Sequence, residues 1–197
     1  MTAFEQLDAL SQKNKGVLQT KEIVSSGISK TTFQKYILKQ GYDRVSHGIY
    51  LAPNAWKDGL YLLSLRCPQI IFSHETALFL HDLTDREPLQ YAVTVKTGYN
   101  PSHLTMDSIK VYSVKKDLYL LGLTRAITPF SHTVPVYNVE RTLCDIVRSR
   151  SSVELQSFQD AFKHYVRRKD KNLSQLMNYA KLFRVDNILR SYLEVLL

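Results

Sequence analysis

Between residues 29 and 47 the chain collects polar side chains of the types that touch nucleic acid: Lys30, Thr31, Gln34, Lys35, Lys39, Arg44 and His47. Lysine and arginine carry charge to phosphates, while threonine and glutamine hydrogen-bond to base edges. On a helix from Ser29 to Gln40, residues Lys30, Thr31, Gln34 and Lys35 share one face, and Phe33, Tyr36 and Ile37 share the other. Thr31 and Gln34 then become candidates for base readout, and Lys30, Lys35, Lys39 and Arg44 for phosphate contact. The charge pattern alone suits a solvated amphipathic helix equally well, so the flanking elements decide between the two.

Those flanks are informative. Ser29 can cap the helix by accepting from a free backbone N–H, and Gly41 stands where a left-handed residue would end it. Upstream lie two apolar segments, Phe4 to Leu10 and Ile23 to Val24, then a turn at Ser26-Gly27. Downstream, Tyr42 to Leu51 forms two β-prone runs around His47-Gly48, a hairpin pattern. Three helices and a hairpin in this order predict an N-terminal winged helix-turn-helix over residues 1–53, a module whose third helix enters the DNA major groove. Arg44 and His47 flank the hairpin tip. A guanidinium there suits phosphate, whereas His47 alone suits an ordinary exposed turn residue.

Composition sets the outer bounds. The 197 residues carry net charge +8, which favours a polyanionic partner. The charge is concentrated at the two ends. Residues 1–55 hold 7 basic and 4 acidic groups, residues 56–140 hold 8 of each, and residues 141–197 hold 11 and 6. Cys67 and Cys144 are far apart in apolar surroundings and read as reduced core residues. With no nearby histidine pair they make no zinc site. No metal or cofactor is expected. The N-terminus lacks the basic and apolar runs of a signal peptide, and no apolar run approaches 18 residues. A cytoplasmic protein without membrane contact is the expectation.

Beyond residue 53 the pattern predicts a second domain, 54–197, with a small β-sheet followed by a helical bundle, so the fold class is α+β. Helices are expected at Trp56 to Leu65 and at His74 to His81 behind a Ser73 cap. Strands are expected at Tyr91 to Val95, Ile109 to Val114 and Leu118 to Leu121. Pro129 and Pro135 bracket a turn-rich stretch. The last third reads as helices at Val139 to Arg148, Val153 to Tyr165, Leu173 to Phe183 and Ile188 to Leu197.

Catalytic signatures are missing. His74-Glu75 opens a helix, but Leu78 stands where a zincin needs its second histidine. There is no Gly-x-Ser-x-Gly elbow, no P-loop and no Glu-x-Lys. Asp85-Arg86-Glu87 lacks the Gly-Ser that a nucleotidyltransferase would place before it. The chain is expected not to be an enzyme. A basic patch at Arg167, Arg168, Lys169 and Lys171 lies at a helix end. It suits either the helix dipole or a binding surface, to which Tyr165 and Tyr179 could add stacking on single-stranded RNA.

Three segments resemble the AbiEi antitoxins: Gly27 to Tyr50, Ser73-His74-Glu75-Thr76-Ala77-Leu78, and Val139-Glu140-Arg141-Thr142-Leu143-Cys144-Asp145-Ile146. Tyr165 to Lys171 and Tyr179-Ala180 also fit. The resemblance implies a bacterial type IV toxin–antitoxin system tied to abortive infection against phage. It implies an N-terminal domain that represses its own operon by binding inverted-repeat operator DNA. It also implies a C-terminal domain, including the basic patch, that opposes a nucleotidyltransferase toxin without a stable complex. Read from its residues alone, the chain also suits a one-component winged-helix regulator whose C-terminal domain senses a ligand or dimerises.

Overall fold

A computed structural model describes residues 2–196 and has an α+β fold with two sheets. The chain divides into two compact units.

Unit 1 begins with α1 (Ala3–Lys13). Its capping box is reciprocal: the Thr2 hydroxyl accepts from the Glu5 N–H, and the Glu5 carboxylate accepts from the Thr2 N–H. Next come β1 (Val17–Gln19), α2 (Thr20–Ser25) and α3 (Lys30–Gln40). The hairpin of β2 (Asp43–Ser46) and β3 (Ile49–Leu51) follows, and β1 pairs antiparallel with β3, giving the order β1-β3-β2. Leu7, Leu18, Ile23, Phe33 and Ile37 form the core between helices and sheet. Each such burial contributes about 1.5–3 kcal/mol, which fixes the opposite face of α3 outward.

Unit 1 does not stop at residue 53. It runs to Pro68 and takes in Pro129–His132, so the joint expected at Ala52 to Asn54 falls inside it. The helix expected from Trp56 is α4 (Gly59–Arg66). It starts later because Asp58 is its cap, accepting from the Tyr61 N–H at 3.1 Å. The other Asp58 oxygen accepts from His132 Nδ1 at 2.8 Å, and the His132 ring stacks on Tyr61.

Unit 2 starts with β4 (Ile71–Phe72), α5 (His74–Leu80), β5 (Ala92–Lys96), α6 (Ser102–Met106) and β6 (Lys110–Val114). There follow α7 (Lys116–Tyr119), β7 (Leu123–Ile127), β8 (Thr133–Tyr137), α8 (Val139–Arg148), α9 (Leu155–Arg167), α10 (Leu173–Phe183) and α11 (Asp186–Leu196). The sheet is mixed, in the order β6-β5-β4-β8-β7. Two expectations fail here. Leu118 to Leu121 is a helical turn and its exit, not a strand; the strand lies after Gly122, whose φ of +75° turns the chain. The stretch read as turns before Val136 is β8, with Pro135 inside it. A proline removes one donor, but β8 meets β4 at a single register, Phe72 with Val136.

In unit 2 the helices α5, α9, α10 and α11 all pack on α8. Asn138 caps it, accepting from the Arg141 N–H at 2.9 Å. Every residue from Glu140 to Val147 is buried, charged ones included. Arg141 Nε donates to Asp145 Oδ2 at 2.9 Å, and its Nη1 donates to the carbonyls of Leu118 and Leu121. Its guanidinium lies 4.2 Å from the Tyr137 ring centre and 4.1 Å from that of Phe183. Gly122 makes room, since a Cβ there would stand 2.7 Å from Arg141 Cβ. Removing one member of a buried ion pair costs about 3–5 kcal/mol. Arg141→Ala should therefore lower stability in urea by about that much. Arg141→Lys should not restore it, because a point charge lacks the fork that holds Asp145 through Nε and both carbonyls through Nη1 at once. A wild-type unfolding midpoint in Arg141→Ala would refute this role.

Candidate nucleic-acid interface

Ser29 caps α3 as expected, accepting from the Thr32 N–H at 3.1 Å, and Gly41 ends it with φ +68°. The first turn carries no carboxylate, so the partial positive charge of the helix N-terminus is left uncovered beside Lys30. Phe33, Tyr36 and Ile37 are buried, while Lys30, Thr31, Gln34 and Lys35 are exposed. The Tyr36 hydroxyl donates to Asp8 at 2.6 Å, fixing α3 against α1. Burial, and then this bond, push the Tyr36 pKa far above its ordinary value, so the phenol stays a donor.

The predicted residues do not form one cluster. Lys30 and His47 line one groove of about 550 Å³, where the start of α3 meets the hairpin turn. Lys21 and Arg66 line the same groove, and neither is visible in the sequence pattern because α2 and α4 lie outside the helix–hairpin unit. Arg44 approaches His47, Nη2 to Nδ1, at 3.0 Å. The ladder slips between Arg44 and Ser46, a bulge that re-aims the β2 side chains. Gln34 reaches inward with one amide hydrogen to the Tyr50 hydroxyl at 3.1 Å. Lys39 stands apart from the groove, its ammonium 5.6 Å from the Phe4 ring centre on the α1 side. Leu38 is 80% exposed, in helical register with Thr31 and Lys35. Its position on this face carries no sequence signal, because an apolar residue announces no polar chemistry.

In unit 2 the basic run is less open than its composition suggests. Arg168 grips Asp170 with two bonds of 2.9 and 2.8 Å and donates to the His81 carbonyl at 2.9 Å. Lys171 donates to the Arg168 carbonyl. Arg167 and Lys169 remain exposed. Tyr165 is fully buried and donates to Glu140, so it cannot stack on a base as anticipated. The Tyr179 hydroxyl accepts from Gln175 at 3.0 Å.

A second polar cluster surrounds His74, which the sequence presented as a simple first-turn residue. Ser73 occupies the cap position without a capping bond. Its hydroxyl instead takes a bond from Thr94 and meets His74 Nδ1 at 3.0 Å. His74 Nε2 lies 3.2 Å from the Ser149 hydroxyl, and the ring stacks on Tyr112. The backbone here is left-handed, φ +49°. With Ser73 donating to Nδ1, the ring donates to Ser149 and does not take its proton. Beside it, Lys110 pairs with Glu75 at 2.9 Å. Among the described residues no group of three His, Cys, Asp or Glu could hold a metal ion, and no helix is long and apolar enough to cross a membrane.

No protein-family model and no curated protein matches this chain. Its fold is similar to the crystal structure of the RV2827C protein from Mycobacterium tuberculosis, with a TM-score of 0.57 and 13% identity. The match covers 92% of this chain and 72% of that one. At that identity the likeness speaks of fold alone.

Burial, then the charges of Arg148, Lys110 and Arg141, hold the His74 pKa well below its ordinary value. Burial also lowers the His81 pKa, against the opposing pull of its bond to the Tyr137 carbonyl. Both rings hold a proton less readily when folded than when unfolded, His74 much less so, and the unfolded rings take one near pH 6.5, so stability falls as pH drops below about 6.5. In urea unfolding from pH 7 to pH 5, His74→Phe should flatten that dependence by up to about 1.4 kcal/mol per pH unit. A variant with the wild-type slope would show that His74 is not the group responsible.

Proposed function

We propose that this chain is a DNA-binding antitoxin of a type IV toxin–antitoxin system. On this reading it represses its own operon through inverted-repeat operator DNA. It also counteracts a nucleotidyltransferase toxin, without a stable complex, in the cytoplasm. The observation that carries the DNA-binding half is the outward face of α3. Lys30, Thr31, Gln34 and Lys35 stand exposed over a capped helix start with no carboxylate in its first turn. Helix, strand, two helices and a hairpin is the element order of a winged helix-turn-helix, in which such a face meets the major groove. Lys30, Lys35, Arg44 and His47 then serve phosphates. Thr31 and Gln34 read bases, Gln34 keeping its amide oxygen as an acceptor.

The antitoxin half rests on the resemblance of residues 73–78 and 139–146 to the AbiEi antitoxins. Both segments are largely interior in unit 2. They therefore support kinship of fold, and the activity itself is a matter for growth assays.

Fluorescence anisotropy with duplex DNA from upstream of the coding sequence tests the first half. The Lys35→Ala, Arg44→Ala double variant should bind more weakly. Its log K should also fall less steeply with log salt, by about 0.9 for each phosphate it no longer neutralises. Unchanged affinity and slope would remove these residues from the interface. Gln34→Ala should lower the preference for operator over scrambled duplex by about 1–3 kcal/mol.

The second half is read in cells expressing the cognate toxin. Arg167→Glu with Lys169→Glu spares the Arg168–Asp170 bonds. These surface changes should cost under about 0.5 kcal/mol of stability yet impair growth rescue. A folded variant that rescues fully takes the patch out of the mechanism.

A further inference from the structure

We infer that unit 2 carries a binding cleft for a polyphosphate group, such as a nucleoside triphosphate bears. Lys115 follows β6, Arg148 ends α8, and Arg184 follows α10. These three cations line a single cleft of about 400 Å³, with the hydroxyls of Thr97 and Ser113 and the apolar side chain of Leu182. No carboxylate lines it. The nearest acid to Arg148 is Asp145 at 3.9 Å, and that carboxylate is already held by Arg141 at 2.9 Å. Among the described residues, neither Lys115 nor Arg184 has an ion-pair partner. Three like charges around one concavity repel one another, and an anion between them would relieve that repulsion. The volume falls in the range of small-ligand sites.

A second observation bears on Arg184. Its backbone is left-handed, φ +57°, at a helix end where glycine or asparagine is the usual choice. A side chain is strained in that region and glycine is not. Arginine there complements the helix C-terminus only as a charge, whereas a ligand in the cleft would engage its guanidinium. Arginine forks and the Ser113 hydroxyl, converging from different elements, fit a group with several charged oxygens better than a lone carboxylate; the Thr97 hydroxyl already donates to the Val114 carbonyl. Leu182, 55% exposed, offers an apolar wall for a base. This site is independent of the DNA-binding reading of unit 1.

Isothermal titration calorimetry of the full chain in about 0.15 M salt, with ATP, tripolyphosphate and adenosine, tests the inference. ATP and tripolyphosphate should each bind at one site per chain, and adenosine should not. Lys115→Ala and Arg184→Gly should each weaken binding by about tenfold. Arg184→Gly should also raise the melting temperature by about 2–4 °C, which separates its ligand role from any structural one. Tighter binding of ATP than of tripolyphosphate assigns a nucleotide as the source of the phosphates; equal binding assigns free polyphosphate. No binding of either at millimolar concentration overturns the inference, as does affinity that both substitutions leave unchanged. It is equally overturned if a short single-stranded RNA binds, is weakened by these substitutions, and neither small ligand binds.

Discussion

Unit 2 depends on one buried cation. Arg141 is fully enclosed, and its guanidinium is the point where α8, α10 and the turn between α7 and β7 meet. Enclosing a charge is costly, and Asp145 alone does not offset it: burial pushes the Asp145 carboxyl up despite Arg141 and Arg148 beside it. What the arginine adds is satisfaction of two carbonyls, one at the end of the single-turn α7 and one in the turn after it, both left over by the helix. The aromatic faces of Tyr137 and Phe183 complete its surroundings. Close approach at Gly122 and the Asn138 cap follow from the same requirement, since both fix where the first turn of α8 begins.

Much of the fold is legible wherever local signals agree. Ser29 and Gly41 bracket α3 as cap and left-handed stop, and the 3.6-residue apolar period finds α8 and α10. Legibility fails where a distant partner decides. The run Leu118 to Leu121 reads as a strand, but the carbonyls of Leu118 and Leu121 are claimed by an arginine some twenty residues on. Arg141 and Asp145 look like solvent-facing residues, because charge normally marks a surface. Trp56 looks like the start of a helix whose real cap is Asp58.

The candidate interface divides in the same way. The polar face of α3 is set by spacing alone and could be read directly. The neighbouring cations Lys21 and Arg66 could not, because only the tertiary fold brings α2 and α4 to that groove. The C-terminal basic run shows the converse. Composition counts Arg168 as a surface charge, yet its fork is taken by Asp170 two residues away. The openly cationic concavity of unit 2 lies instead at Lys115, Arg148 and Arg184, three residues that no sequence window joins.

The discontinuity of unit 1 has a consequence for biosynthesis. Asp58 caps α4 from a buried position, and His132, the residue that shares its carboxylate, emerges from the ribosome 74 residues later. Until then the bond between the Asp58 carboxylate and the His132 imidazole cannot form, and unit 1 lacks its last four residues. Unit 1 therefore matures only after most of the sheet of unit 2 has been synthesised. For the same reason it cannot be moved between proteins as one uninterrupted gene segment. A recombination event that carried off only the N-terminal stretch would leave His132 behind.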